Sequence, residues 1–544
     1  MVLQDRYDYL ITGAGSAGCV LARRLSDAGN TVLLIEAGMN DKSWILRMPA
    51  GLRSTFKPSS KYNYWFKSTK QKYLDNREID QPRGKVLGGS SSINGMTWLR
   101  GHPLDYNRWE EQGAKGWAWK DCFDYFKKIE SSKINDGYRG QKGLIKAQRY
   151  ENLSPLNLAF IEAGIEAGFK QSEDVNGFQQ EGVSRFEMSV DNGIRNSTSY
   201  GYLHSQRDNS NLTILLNAQT EKIIIKNSIA EGLVVKHRGH STHIFATKEV
   251  LISAGVFGSP QLLMLSGIGP KAHLQDKGIE TLVDLPAVGE NLQDHLECHI
   301  QIETKEPVSL NKELQPHRIL MAGLKWFGFK KGVASVNQCH VGAFLKSEES
   351  ISHADIQFHF FPLFFDKNWI PQPTTYGYRL GVGPMRPSSR GHVKLRSLNI
   401  EDQPLIEPNY MSTQKDWEIM RRAMRLGHKL LSQEAFKKFH YREDTPAIDM
   451  NDDNALDAFI RKDASSAYHP CGTCKMGHES DSSAVVSPEL KVKGLGNLRI
   501  VDASVIPSLP SANINATTIM IAEKASDIIS VSYTHLTLPT NREV

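Results

Sequence analysis

Near its C-terminal end the chain reads Ala467-Tyr468-His469-Pro470-Cys471-Gly472-Thr473-Cys474-Lys475-Met476-Gly477, with a histidine and a Cys-x-x-Cys within six residues. Such a set serves a metal site, a redox dithiol, or a catalytic base beside two inert thiols. Structural zinc takes four ligands at recurring spacings, and the chain has no second Cys-x-x-Cys to complete one. A thioredoxin-like dithiol belongs to an early strand–helix unit, whereas this pair follows His-Pro late in a long chain. The third reading stands. Imidazole titrates near neutral pH and can take a hydroxyl proton, and the cysteines would pack as small, soft apolar residues. The plain alternative is a core histidine with satisfied hydrogen bonds.

A second imidazole, His359, sits at the centre of the strand-like aromatic run Asp355–Phe365, "DIQFHFFPLFF". Among so many phenylalanines it must find a partner or a function.

The elements that would position these groups begin at the N-terminus. "YDYLITGAGSAGCVLARRLSDAGNTVLLIEAG" predicts strand, glycine turn, helix, turn and strand, with Gly13-x-Gly15-x-x-Gly18 opening the helix and Glu36 ending the second strand. That is the dinucleotide-binding pattern. The glycines let backbone approach a pyrophosphate, the helix N-terminus (Ser16, Ala17) offers N–H groups, and an acid such as Glu36, followed by Ala37, takes a ribose diol. The motif alone does not separate FAD from NAD. "GKVLGGSSSINGMTWLRGHPLDYNRW" (84–109) is a glycine- and serine-rich loop in which Gly88, Gly89 and Gly95 lower the steric profile, and Ser90 and Asn94 offer polar groups, with Met96 beside them. "SAGVFGSPQLLMLSGIG" (253–269) predicts a strand end at Ala254, a turn over Gly255–Pro260 and a helix. "NLRIVDASVIPSLPSANINATTIMIAEKASDII" (497–529) predicts a strand ending at Asp502-Ala503, a polar loop and a helix. An acid at a strand end before a helix suits cofactor contact.

Composition narrows the class. With 544 residues, 40% apolar and 23% charged, the chain suits a large enzyme of two lobes. The net charge of +5 is small and the basic residues form no long run, so nucleic-acid binding is unsupported. Six cysteines without framework spacing suit a reducing compartment. A strand at Tyr7–Ile11 leaves no room for a signal peptide, and the glycine- and proline-rich run 250–270 predicts a buried strand and helix, not a membrane span. The expectation is a soluble, cytoplasmic protein, with peripheral contact on the inner face of a membrane left open. The last residues, "VSYTHLTLPTNREV" (531–544), break in character from the helix before them and resemble a translated sequencing adapter, so they are set aside as a non-native tail.

Together these stretches resemble the glucose–methanol–choline (GMC) family of flavin oxidoreductases over nearly all of residues 7–529. "VGENLQDHLE", "KEPVSL", "RPSSRGHV" and "HPCGTCKMG" resemble its choline-oxidising members. The resemblance implies an α/β (α+β) fold. A Rossmann-like FAD-binding domain would take segments 1–155, 190–295 and 465–530, and a substrate domain on an antiparallel sheet would take 156–189 and 296–464. It implies FAD held non-covalently, because Ile93 stands where some relatives carry a flavin-linked histidine; Val256 stands where a smaller residue is usual. By the same resemblance His469 is the proton acceptor, Asn513 its partner, and His359 a group that holds the substrate oxygen. Glu297 is the counter-ion for a trimethylammonium group, with Tyr468, Tyr64 and Trp65 as aromatic walls, and no metal is implied. The implied reaction is FAD-dependent oxidation of a primary alcohol by hydride transfer, choline to betaine aldehyde and onward to glycine betaine. The electron acceptor, quinone or oxygen, is left undetermined. Another alcohol, or the redox-silent chemistry of FAD-containing hydroxynitrile lyases, is the alternative.

Overall fold

The computed structural model describes residues 4–206, 208–366 and 370–534. Its first strand, Arg6–Thr12, lies parallel to Val32–Glu36 on one side and to the end of His240–Ile252 on the other, with Leu10 opposite Leu33 and Val250. Leu212–Leu216 and Leu498–Ile500 extend the parallel set outward. Ile229–His237 and Ala218–Lys226 continue antiparallel from His240–Ile252, giving seven strands in all. Leu10, Ile11, Leu33, Leu34, Val250 and Leu251 are fully buried. That explains why these strands read as unbroken apolar runs, as parallel strands covered on both faces do. Helix Ser16–Asp27 packs against the last helix, Asn515–Thr534, and Arg24 grips Glu523 through two nitrogens at 2.9 and 2.7 Å.

A second seven-stranded sheet is antiparallel throughout. Its order is His440–Thr445, Leu296–Thr304, Gly377–Pro384, Ile356–Phe361, Val341–Leu345 and Gly182–Arg185, and Ser465–Ser466 pairs with Leu296–Thr304. Helix Gln414–Leu431 covers one face, burying Trp417, Met420, Ala423 and Met424 in a core that Phe160, Phe360 and Tyr378 share. This core is separate from the one under the first sheet, which also takes in Cys471, Cys474 and the last helix. The aromatic run holding His359 is the strand Ile356–Phe361.

Two local expectations change. The turn predicted over Gly255–Pro260 is already helix, Gly255–Leu265, with Pro260 inside it. Proline brings no N–H to the carbonyl four residues back; that carbonyl, of Val256, instead accepts the Thr473 hydroxyl at 2.6 Å. The helix thus keeps its proline because a side chain from the Cys-x-x-Cys segment fills the vacancy. The last helix runs through Val531 to Thr534, past the expected break. The rest of the segment set aside as a tail, 535–544, lies outside the described residues.

Candidate active site

A cavity of about 2140 Å³ runs between the two sheets, well beyond the ~300–1,000 Å³ of an ordinary small-ligand pocket. One end is the N-terminal glycine turn. Gly13 has φ +94°, and a Cβ there would lie 2.3 Å from the Ser253 carbonyl oxygen; Gly18, just behind the cavity, packs on the Gly13 carbonyl just as closely. Gly15, Ser16 and Ala17 line the cavity, and a Cβ on Gly15 would meet nothing, so the backbone here leaves open space for a ligand. Helix Ser16–Asp27 has neither a side-chain cap nor an acid in its first turn, and its free N–H groups suit a pyrophosphate. Ser16 Oγ donates to Asn515 Oδ1 at 2.7 Å, joining the starts of the first and last helices at this spot.

Glu36 and Ala37 line the same end. The Glu36 carboxylate accepts from the amides of Ala14 (3.0 Å) and Gly38 (2.8 Å). Burial pushes its pKa up to about 7 against those bonds and the charge of Lys85, so a ribose diol donating to it would relieve a poorly solvated carboxylate. The second glycine loop crosses opposite. Gly89, Ser90, Asn94, Gly95 and Met96 line the cavity with Ile93 among them, while Gly88 lies behind and donates to the Ala14 carbonyl at 2.7 Å. Arg195, which the sequence reading missed, holds this loop. Its Nη1 donates to Asn94 O (2.6 Å) and Asn94 Oδ1 (2.9 Å), and burial lowers its pKa to about 9. Ala254, Gly255, Asp502 and Ala503 complete the wall. Asp502 spends its oxygens on the protein, accepting from Gly255 N (2.9 Å), Ser259 Oγ (2.6 Å) and Ser504 N (2.8 Å). From the cavity wall it organises the start of helix Gly255–Leu265. An open glycine turn, uncapped amides and an under-solvated carboxylate along one long cavity fit an FAD.

His469 lies farther along the same wall, its geometry fixed by the stretch Gln293–Glu297. Gln293 exchanges backbone hydrogen bonds with Cys471 at 3.0 and 2.9 Å, and Asp294 Oδ1 accepts from His469 N at 2.8 Å. His295 Nε2 faces the Met385 carbonyl (2.9 Å), and its Nδ1 faces His469 Nδ1 (3.0 Å). A carbonyl only accepts, so His295 carries its proton on Nε2. Neutral, it then accepts at Nδ1 from His469, which leaves His469 Nε2 unprotonated. Asn513 agrees with this assignment. Its Oδ1 accepts from Gln357 Nε2 at 3.1 Å, turning its Nδ2 donor toward His469 Nε2 at 2.8 Å. Burial lowers the His295 pKa to about 4. Burial, then the neighbouring His295, His359 and Arg83, drive that of His469 well below 6.5. At neutral pH the group facing the cavity is a free-base imidazole with its lone pair on Nε2.

Glu297 stands two residues beyond His295 and, like His359, is buried. The Glu297 Oε1–His359 Nδ1 distance is 2.6 Å. Burial alone would raise the Glu297 pKa and lower that of His359; the pair's mutual attraction reverses both, so Glu297 ends lowered and His359 raised. Room comes from glycine. Gly342 and Gly381 flank His359 across the sheet, and a Cβ on Gly383 would lie 2.9 Å from Glu297 Cγ.

The aromatic walls are split. Trp65 and Tyr468 both meet Phe56 edge-on, at 5.4 and 5.0 Å. Tyr64 lines the cavity too, but stacks on Phe66 at 4.9 Å under Lys85, on the side of Glu36 rather than beside Tyr468. Its neighbour in sequence, Trp65, adopts φ +48°, which turns the two rings apart. Phe56, Arg83, Asp294, His295 and Gln357 were missed. The signal for His295 was in view, since "QDHLE" places it on the same face of an extended segment as Glu297.

The thiols that opened the question are both buried, and burial raises their pKa values. His295 and His299 are spaced i, i+4, but along an extended strand, where that spacing spans roughly 13 Å instead of one helical turn. Among the described residues, no three His, Cys, Asp or Glu side chains gather so as to hold a metal ion.

Two lobes joined by one long cavity, with a dinucleotide cradle at one end and a free-base histidine at the other, define a flavin-dependent oxidoreductase. GMC oxidoreductase family models match residues 7–297 and 387–522, and the chain belongs to this family: it is an FAD-dependent, alcohol-oxidising enzyme. It is 44% identical over 97% of its length to the oxygen-dependent choline dehydrogenase of Photobacterium profundum, covering 93% of that protein. It is 43% identical, again over 97%, to the human mitochondrial choline dehydrogenase, covering 90% of it. Among solved structures it resembles the pyridoxine 4-oxidase of Mesorbium loti (30% identity, TM-score 0.87, 97% and 99% of the two chains). It also resembles a variant of the Aspergillus oryzae formate oxidase (26%, 0.91, 98% and 100%).

Proposed function

We propose that this chain oxidises choline to betaine aldehyde. The observation that carries the reading is the buried Glu297 carboxylate lining the same cavity as the unprotonated His469 Nε2. A quaternary ammonium has no hydrogen to donate, so it is recognised by a carboxylate and by aromatic faces, here Trp65, Tyr468 and Phe56. The similarity to proteins named as choline dehydrogenases supports the same substrate.

When bound, FAD supplies the two-electron acceptor for the hydride leaving the alcohol carbon. His469 Nε2 takes the hydroxyl proton, and Asn513 Nδ2, within 2.8 Å of that nitrogen, donates to the oxygen on which charge develops. His359, held by Glu297, adds a second donor on the substrate-lobe side. A hydrated aldehyde again presents HO–C–H, so the same groups serve a second oxidation to glycine betaine.

The Glu297–His359 pair also favours a second reading, an uncharged primary alcohol, because His359 already balances the carboxylate. Anaerobic mixing separates them: choline bleaches the flavin absorbance at concentrations where benzyl alcohol and short aliphatic alcohols do not. Bleaching by the uncharged alcohols alone overturns the choline reading, and no bleaching by any alcohol supports lyase chemistry.

FAD is held without a covalent bond on this reading, since Ile93, in the loop facing the cavity, has no nucleophilic atom. Acid precipitation of the holoenzyme is expected to leave the yellow chromophore in the supernatant; flavin retained in the washed pellet shows a covalent link.

A further inference from the structure

Asn513 sits in a stretch with no regular structure of its own. Residues 506–514, between the short turn Ala503–Val505 and the last helix, include Pro507 and Pro510, which bring no N–H. A buried backbone of this kind must find its partners in side chains from elsewhere. Helix Pro103–Glu111 supplies several of them. Trp109 Nε1 donates to the Ser508 carbonyl at 2.7 Å, and Tyr106 Oη lies 2.8 Å from Thr517 Oγ1. Asp105 holds Ser511 twice, accepting from its backbone amide at 2.7 Å and from its hydroxyl at 3.0 Å.

Asp105 does more than the start of a helix needs. Its Oδ2 accepts from His102 N at 2.9 Å, closing the first turn, a task that leaves the other oxygen to spare. Here the carboxylate is fully buried, and Oδ1 accepts the Ser511 hydroxyl with His353 Nε2 and Arg108 Nη2 each 3.4 Å away. Burial alone would raise the Asp105 pKa, but the bonds from His353 and the Ser511 amide and the charge of Arg108 bring it below the ordinary carboxylate value. The group is therefore a charge, and hydrogen bonds to a charge are roughly twice as strong as neutral ones. Ser511 is also held from the side of the second sheet. Arg386, just past strand Gly377–Pro384, donates from Nη1 to Ser511 Oγ at 3.1 Å and to the Ala354 carbonyl at 2.6 Å. The hydroxyl thus accepts from one side and donates to the other. Two residues on, Asn513 meets Gln357 and His469. Neither Asp105 nor Ser511 lines the cavity.

We propose that Asp105, acting through Ser511, is a positioning residue for the reaction: it fixes the loop that aims the Asn513 amide at the substrate oxygen. This rests on the reading that Asn513 donates to that oxygen, and not on which alcohol is oxidised. Loosening the loop leaves the cofactor cradle and Glu297 in place, so binding survives while the aim of Asn513 is blurred. A misplacement of about 1 Å at a reacting centre costs up to ~10²-fold in rate.

The test is anaerobic reduction of the FAD-loaded enzyme by choline, or by whichever primary alcohol bleaches its flavin, read as a limiting rate and an apparent Kd. D105N keeps the shape of the side chain and removes its charge. It is expected to retain FAD, to slow the limiting rate about 10- to 10²-fold and to leave the Kd within about twofold. In an N513A background, itself slowed, D105N is expected to add less than about twofold, because the group it aims is gone, whereas a general loss of structure multiplies with the first. If D105N fails to fold, S511A carries the same cycle with only the hydroxyl removed and is expected to slow the limiting rate about tenfold. A folded D105N or S511A that reduces the flavin at the wild-type rate, or a loss that multiplies with N513A, overturns the proposal and leaves the role of Asn513 standing. An N513A enzyme that works at the wild-type rate removes Asn513 from the chemistry, and this proposal with it.

Discussion

Replacing His469 by alanine is expected to leave FAD bound and to slow anaerobic reduction of the flavin by choline about 10²- to 10⁴-fold, the range for loss of a positioned general base. His469 does not carry the glycine turn, the uncapped amides or the Glu36 carboxylate that fit the cofactor, so the flavin spectrum should persist. What disappears is the unprotonated Nε2, kept without a proton because His469 donates from Nδ1 to His295, and facing the Asn513 amide at 2.8 Å in the cavity wall. Reduction at the wild-type rate would remove His469 from the chemistry.

The same geometry predicts a pH signature. Burial and the neighbours His295, His359 and Arg83 hold the His469 pKa well below 6.5, so the base stays competent from neutrality down into acid, and kcat/KM falls only below that range. His295 contributes to this lowering. In His295→Leu the acceptor for the His469 Nδ1 proton is lost, so the tautomer with Nε2 unprotonated is no longer enforced, and reduction of the flavin by choline is expected to slow at every pH while FAD stays bound. A variant that is merely less stable, with flavin reduction at the wild-type rate, reduces His295 to a packing role.

Replacing Glu297 by glutamine is expected to raise the KM for choline on the order of 10²-fold, equivalent to about 3 kcal/mol, within the range for removing one partner of a buried charge pair. For an uncharged alcohol the rise is expected to be a few-fold. Equal effects on both substrates would falsify the assignment of Glu297 as counter-ion. The Glu297–His359 pair adds a pH dependence whose sign follows from its charges. While His359 is protonated, the incoming ammonium meets a neutral pair; once His359 loses its proton, it meets a net negative charge. Choline affinity therefore rises as pH climbs through the His359 pKa, which Glu297 holds above its ordinary value. Uncharged alcohols lack this rise, and in the glutamine variant it vanishes.

The amino-acid sequence by itself determined the βαβ cradle, because glycine spacing and unbroken apolar runs are local consequences of backbone approach and of burial on both faces. It likewise marked His469, Asn513, His359 and Glu297 through stretches whose resemblance to a family could be read residue by residue. Pro260 misled it: a proline reads as a break until a hydroxyl more than two hundred residues away takes up the orphaned carbonyl. Adjacency in sequence likewise said nothing of how Tyr64 and Trp65 divide the cavity wall, where a left-handed Trp65 sets one ring on Phe66 and the other on Phe56. Only the tertiary structure decided which nitrogen of His469 is free, because that depends on a carbonyl at Met385, a ring at His295 and an amide at Gln357, three groups on separate segments. Only it showed that Glu297 is already engaged by His359, and that Asp105 reaches the loop of Asn513. Hydrogen-bond direction, charge pairing and contact between distant segments are properties of surroundings, and surroundings are assembled by folding.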